Sequence, residues 1–516
     1  MEKESDDMSE KKDENLIEDE PSRESIVELG RISENTQKNI EGDGKKVSSI
    51  QTIFSIWNTM IGSTTVSIPY NVYLAGIVPT IFIGLLYGFI CYFTCSIYVK
   101  LSGNDEEFAN IVFSYFHYAF GKKSGKIGKT IQLLFNLMIN VGATFVYFLI
   151  INQNFYPCLC LFLKIFGCDL NSQDIAPHFN QFSIFYCSLL VCIVVFPLTI
   201  LKEMGCLVKF NSLGIYFVSG LLLFVIYSGI ASLTNTNFHF EYKENVDGST
   251  DRYLYLFGPD ITKIMGTLSL GLFCHSVILP VLKNNRKQEN NQRDLFIGYT
   301  CVTFTYIIIG ILGYIGFSGK DYKPEFEDNW FRFSAADNYL FLALRLLNVV
   351  QLTSIFPILF FVVRKQLFSI FFTSDAVSNK KYRIIFSVTL LILCILILYF
   401  FYNSLGTFIS FLGASTALIL VYTVPPLTNM IYYYIRHQTK GEVKQIVDQR
   451  NSELSEEEEK KPILPQELGD PVPLKSMKAF FFYFSMMAII VLGIMTFVLQ
   501  FVKVNFFNIT IQGNNN

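Results

Sequence analysis

The chain has 516 residues, of which 51% are hydrophobic and 16% charged, with a mean hydropathy of +0.38. A soluble chain carries about 25% charged residues, so the composition excludes a soluble protein and describes an all-α integral membrane one. The net charge of −2 argues neither for nor against nucleic acid, none of which is expected as a partner, and no nucleophile–base constellation or metal-ligand spacing points to an enzyme.

Residues 1–50 are rich in Asp, Glu, Lys, Ser and Asn and nearly free of aromatics. Such a stretch buries too little apolar area to offset its ordering entropy, which predicts a disordered tail. Its polarity leaves no signal peptide, so the first span serves as the insertion signal. Asp13 to Ile17 reads either as an acidic dileucine sorting signal or as a chance pair of aliphatics.

Eleven apolar runs follow, at 52–74, 78–99, 127–151, 182–201, 208–233, 261–282, 295–317, 338–363, 383–402, 405–434 and 479–502. Each is about long enough to cross a bilayer as a helix. The predicted organisation is a membrane core over 51–435 with ten spans, a charged Pro-containing linker at 436–476, an eleventh helix at 477–503 and a short tail at 504–516. The tenth run contains Pro425 and Pro426 and is expected to kink or end there.

The loops between runs two and three, six and seven, and eight and nine carry most of the base, including Lys122, Lys123, Lys126, Arg286, Lys287, Lys380 and Lys381. By the positive-inside bias, the N-terminus is cytoplasmic and the C-terminus luminal or external. On that far side, the loop expected at 152–181 holds Cys158, Cys160 and Cys168. A bridge from Cys168 to either of the others, or free or membrane-buried thiols, both fit; most other cysteines sit within apolar runs as small hydrophobes. The single sequon, Asn508-Ile509-Thr510, lies very close to the last run.

The first run, FSIWNTMIGSTTVSIPY over 54–70, is polar in its middle. Asn58, Thr59, Met60, Ile61, Gly62, Ser63, Thr64 and Thr65 combine small and hydroxyl residues, and Pro69 follows. This pattern weakens a helix at mid-depth, where unpaired backbone is tolerated only beside a cavity or a ligand. A small-residue packing face is the alternative. Run six repeats the character with Gly266, Thr267, Ser269, Gly271, Ser276 and Pro280. Two such runs in register, each opening a block of five, are the pattern of an inverted-repeat transporter with its site at mid-membrane.

The runs contain almost no acidic residues, so a bound cation would rely on neutral oxygens, which suit sodium. His275 is either a substrate-facing group or a buried neutral imidazole. Run eight carries Arg345, Asn348, Gln351, Thr353 and Ser354, and Asn136 and Asn140 share a face of run three.

The stretches IWNTMIGSTTVSIPY (56–70), LKNNRKQENNQRDLFIGYTCVTFTYIIIGIL (282–312) and QLTSIFPILFFVVRKQLF (351–368) resemble the amino acid/auxin permease family of secondary amino acid transporters. The resemblance covers about 50 to 435 and the last run. It implies a LeuT-like fold of five-plus-five inverted spans with an eleventh helix. It also implies sodium-linked movement of neutral or cationic amino acids across the lysosomal membrane, with an arginine-responsive efflux of leucine or glutamine type. Substrate contacts are implied at Asn58, Thr59, Met60, Ile61, Gly62, Ser63 and Thr64, with His275 a further candidate. Ile61 and Ser63 depart from the N-T-M-M-G-T of a family member. The implied sodium ligands are Asn58, Thr59 and Thr353, with no organic cofactor. A cytosolic signalling complex on the N-terminal tail is a further implied partner, beside the amino acid and the bilayer. A sensor of site occupancy and a proton-coupled carrier are the rival readings.

Overall fold

The structure is a computed structural model. It describes residues 47–102, 108–168, 170, 176–201, 207, 211–212, 214–235, 238–241, 252–258, 260–317, 331, 339–371, 380–402, 405–435 and 477–501. The tail with its dileucine pair, the 436–476 linker and the 508–510 sequon lie outside the described residues.

Among the described residues, eight helices are long and apolar enough to cross a membrane. The remaining apolar runs appear as the shorter helix Ile184–Thr199 and as two pairs of half-helices. In chain order the first pair is α1 (Ser49–Met60) and α2 (Thr64–Ala75), followed by α3 (Ile77–Ser102) and α4 (Phe108–Phe120). Next come α5 (Lys122–Ile165), α6 (Ile184–Thr199) and α7 (Ile215–Asn235). The second pair is α8 (Thr262–Gly271) and α9 (Ile278–Lys283). Then follow α10 (Asn291–Phe317), α11 (Tyr339–Phe371), α12 (Lys380–Phe401), α13 (Leu405–Leu420), α14 (424–435) and α15 (Met477–Val498).

The helix starts and breaks follow local chemistry. Ser48 caps α1 in a capping box with Gln51, so two orphan N-terminal donors are satisfied reciprocally. The α2–α3 corner turns on Gly76 at φ 86°, where a Cβ would meet the Leu256 carbonyl oxygen at 2.7 Å. The tenth run breaks at 421–423, and Pro425 and Pro426 then open α14, where their missing N–H groups cost nothing.

Two features differ from the sequence expectation. First, α5 runs for 44 residues to Ile165, about 66 Å at 1.5 Å per residue. The loop expected from 152 therefore starts only beyond Ile165. Cys158 and Cys160 are buried free thiols on the helix, and Cys168 is an exposed free thiol just past its end. The helix separates them, so the candidate bridge is not formed. Second, the connection between α7 and α8 contains a parallel strand pair, β1 (Phe238–Glu241) with β2 (Arg252–Tyr255), in register Phe238 to Arg252.

The bundle core lies where α10 packs against α1, α2, α3 and α7, and where α11 lies along α5. The half-helix α8 packs on α13 and on α2. Asn71 Nδ2 of α2 donates to Thr267 Oγ1 of α8 at 2.9 Å, tying the two half-helices on one side of their breaks. The last helix, α15, packs on α13, and its Thr496 shares a hydrogen bond with Tyr87 of α3.

Candidate functional site

The first break spans residues 61–63. Ile61 adopts an extended backbone at φ −79°, ψ 99°, and its N–H closes α1 on the Trp57 carbonyl. Beyond it, Thr65 N–H bonds Gly62 O at 3.3 Å and Val66 N–H bonds Ser63 O at 3.2 Å. The N–H groups of Gly62 and Ser63 meet no backbone acceptor among the described residues. They stand at the start of α2, where the helix dipole favours negative charge. The second break follows Gly271, and the chain turns through 272–277 before α9.

One hydroxyl joins the two breaks. Tyr306 of α10 donates to Met60 O, the last carbonyl of α1, and lies 3.3 Å from Gly271 O, the last carbonyl of α8. The free ends of both half-helices therefore face the same space.

That space is a cavity of about 50 Å³. Thr59, Met60, Ser63 and Thr64 line it from the first break, and Leu270, Gly271, Phe273, Ser276 and Val277 from the second. Ile139, Asn140, Ala143 and Tyr147 of α5 and Leu359 of α11 complete the wall. No charged side chain is in this lining. Asn140 Oδ1 accepts from Ser276 Oγ at 2.9 Å, and Asn140 Nδ2 reaches Gln366 Oε1 at 3.3 Å, so one wall is polar but uncharged. The buried Tyr147 hydroxyl has no hydrogen-bond partner among the described residues.

Of the sequence candidates, Thr59, Met60, Ser63 and Thr64 are thus brought to the cavity, and Asn58, Ile61, Gly62 and His275 are not in its lining. Asn58 is fully buried and turned outward: its Nδ2 donates to Asn211 O at 2.8 Å and Asn211 Oδ1 at 2.7 Å. Its Oδ1 accepts from Gln351 Nε2 at 3.1 Å. Asn211 returns a bond to Thr59 Oγ1 at 2.8 Å and another to Ser55 Oγ at 3.2 Å. Gly62 forms the floor under Tyr147. His275 points to α3, where Nε2 lies 3.0 Å from Thr94 Oγ1 and the ring meets Tyr98 edge-on. The turn after Gly271 sends Phe273, Ser276 and Val277 inward and His275 outward.

Of the sodium candidates, Asn58 and Thr59 share Asn211 as a hydrogen-bond partner, and Thr353 is not joined to either. The α11 side chain that meets Asn58 is Gln351, and Thr353, two residues on, sits about 200° further around the helix. The residues that sequence reasoning passed over as site members are Tyr147, Tyr306 and Asn211. Among 28 tyrosines and 51 phenylalanines, single tyrosines in apolar runs carry no distinguishing pattern.

A family model described as "Transmembrane amino acid transporter protein" matches residues 45–449, which includes both breaks and every cavity residue. The chain belongs to the transmembrane amino acid transporter family. It is an amino acid transporter, not an enzyme. This transporter is 29% identical to the neutral amino acid transporter 9 of Xenopus tropicalis, over 78% of its own chain and 77% of that protein. It is 26% identical to the sodium-coupled neutral amino acid transporter 9 homolog of Caenorhabditis elegans, over 74% and 68%. It is 24% identical to the sodium-coupled neutral amino acid symporter 2 of Danio rerio, over 76% of each chain. Among solved structures, the transporter is similar to MhsT in complex with L-phenylalanine at a TM-score of 0.49 and 12% identity, covering 88% of this chain and 99% of that one.

Proposed function

We propose that this transporter moves neutral amino acids, coupled to sodium, across a lysosome-like membrane by alternating access around the cavity between its broken helices. The observation that carries the reading is the cavity itself: two backbone breaks face it, and its lining has no charge. The substrate carboxylate would meet the Ser63 N–H group at the positive end of α2, with the Tyr147 hydroxyl also on the cavity wall. The α-amino group would meet the carbonyls that end α1 and α8. The side chain would lie among Ile139, Ala143, Leu270, Phe273, Val277 and Leu359. A charged side chain there would lose its hydration without a counter-ion, so neutral substrates are favoured over arginine or glutamate.

Alternating access around this cavity would move the half-helices relative to α5 and α11, whose side chains complete its wall. Support for sodium comes from the two relatives named as sodium-coupled and from the uncharged oxygens where α1 meets α11. The base-rich loops support a cytoplasmic N-terminus. The five-plus-five inverted arrangement is supported by the position of the two breaks.

Counterflow in proteoliposomes with a panel of labelled amino acids, in sodium and in choline, tests the reading. The expected result is exchange of neutral amino acids that falls when choline replaces sodium. Exchange restricted to arginine or glutamate would overturn it.

A further inference from the structure

The terminal amide of Gln351 stands between two oxygens that can only accept. Its Nε2 donates to Asn58 Oδ1 at 3.1 Å and to the Ile61 carbonyl. The Ile61 carbonyl has left the helical ladder, because Thr65 N–H goes to Gly62 instead. Asn58 is held in orientation by two bonds from its own Nδ2 to Asn211, which leaves Oδ1 for α11. Between such oxygens a hydrogen-bond donor or a cation fits. The other atom of the same amide, Gln351 Oε1, is buried with no hydrogen-bond partner. Burying an unpaired carbonyl is unfavourable, so the amide is held in place by the two oxygens in front of it.

We propose that Gln351 is an internal competitor for the transported cation: its amide caps Asn58 Oδ1 and the Ile61 carbonyl, and sodium binds there only by displacing it. The inference rests on the sodium-linked reading above. Neutral carbonyl and amide oxygens are the ligand type a hard monovalent ion takes. Displacement breaks two donor bonds and releases Oε1 from its unpaired position. Because Ile61 lies in the break, capping by Gln351 ties the first break to α11, and its release frees that break to move.

The test is thermal unfolding of the purified full chain in detergent, titrated with sodium chloride against choline chloride at constant ionic strength. Gln351→Leu removes the competing donor; Gln351→Glu removes it and supplies an anionic oxygen. Both variants are expected to reach half of the sodium-induced Tm shift at about tenfold lower sodium than the wild-type chain, with Glu the stronger. A wild-type chain that does not respond to sodium beside a Gln351→Leu chain that does would also support the proposal. If the wild-type chain responds and both variants respond at the same or higher sodium, the Gln351 assignment is overturned while sodium coupling stands. If none of the three responds, both fall, and labelled amino acid counterflow then reports on substrate transport separately. A unimodal size-exclusion profile for at least one variant confirms that a folded protein is compared.

Discussion

Tyr147 lies directly over Gly62. A Cβ on Gly62 would stand 1.8 Å from the Tyr147 hydroxyl oxygen and 2.5 Å from the ring carbon that bears it. The missing side chain of Gly62 is therefore what lets α5 close over the first break, and the same contact places an unpartnered hydroxyl on the cavity wall.

Gly62→Val is expected to push Tyr147 off the break and lower counterflow at least tenfold, with the protein still delivered to the membrane. Adding Tyr147→Ala to the same chain removes the clash, and partial recovery of flux is the expected result. Equal loss in the single and double variants would show that the contact is not the cause.

Thr59→Trp places a large ring at the edge of a cavity of about 50 Å³. Overpacking of this kind is expected to leave no room for substrate. Labelled neutral amino acid flux should fall to background while the size-exclusion profile is unchanged. Near-normal flux would remove Thr59 from the site.

Asn58→Ala leaves Asn211 Oδ1 without a partner in a buried position, while Asn211 O keeps the Gly214 N–H and Gln351 Nε2 keeps the Ile61 carbonyl. One orphaned buried group costs about 1–3 kcal/mol, so a fall in Tm is expected by calorimetry or dye-free fluorimetry. Tyr306→Phe breaks the bond that joins the Met60 and Gly271 carbonyls. That variant is expected to exchange substrate more slowly, by about tenfold, and counterflow rates measure it.

Cys168 is exposed and unpaired, whereas Cys158 and Cys160 are buried on α5. A membrane-impermeant maleimide applied from the luminal side is expected to label the chain, and Cys168→Ser to remove most of that label. Labelling of Cys168 from the cytoplasmic side would reverse the proposed orientation.

The two breaks were legible because they are local: small, hydroxyl and proline residues inside an apolar run weaken a helix wherever it is placed. Even so, Pro69 lies within α2, and the break falls at 61–63, where Gly62 and the residues beside it are the weaker helix formers. The end of α5 was not legible, since apolar content marks a membrane crossing but not where the helix stops beyond it. Residue identity also did not separate the two sides of a turn, so His275 and Ser276, adjacent in sequence, face opposite ways.

Composition and the period of apolar runs determined by themselves that this chain spans a membrane, that two of its spans are interrupted, and that its interior offers neutral oxygens in place of carboxylates. These follow from transfer energies and backbone propensities, which act residue by residue. Only the tertiary structure decided which side chains close the first break: Tyr147 from α5, Tyr306 from α10, Asn211 ahead of α7 and Gln351 from α11. Their hydrogen bonds and contacts join residues 85 to 293 positions apart, and such pairings are set by helix packing, which no local pattern encodes. The stretch around Asn58–Ser63 was visible as a weak point in a helix; what holds it open to one cavity became visible only once its distant partners were in place.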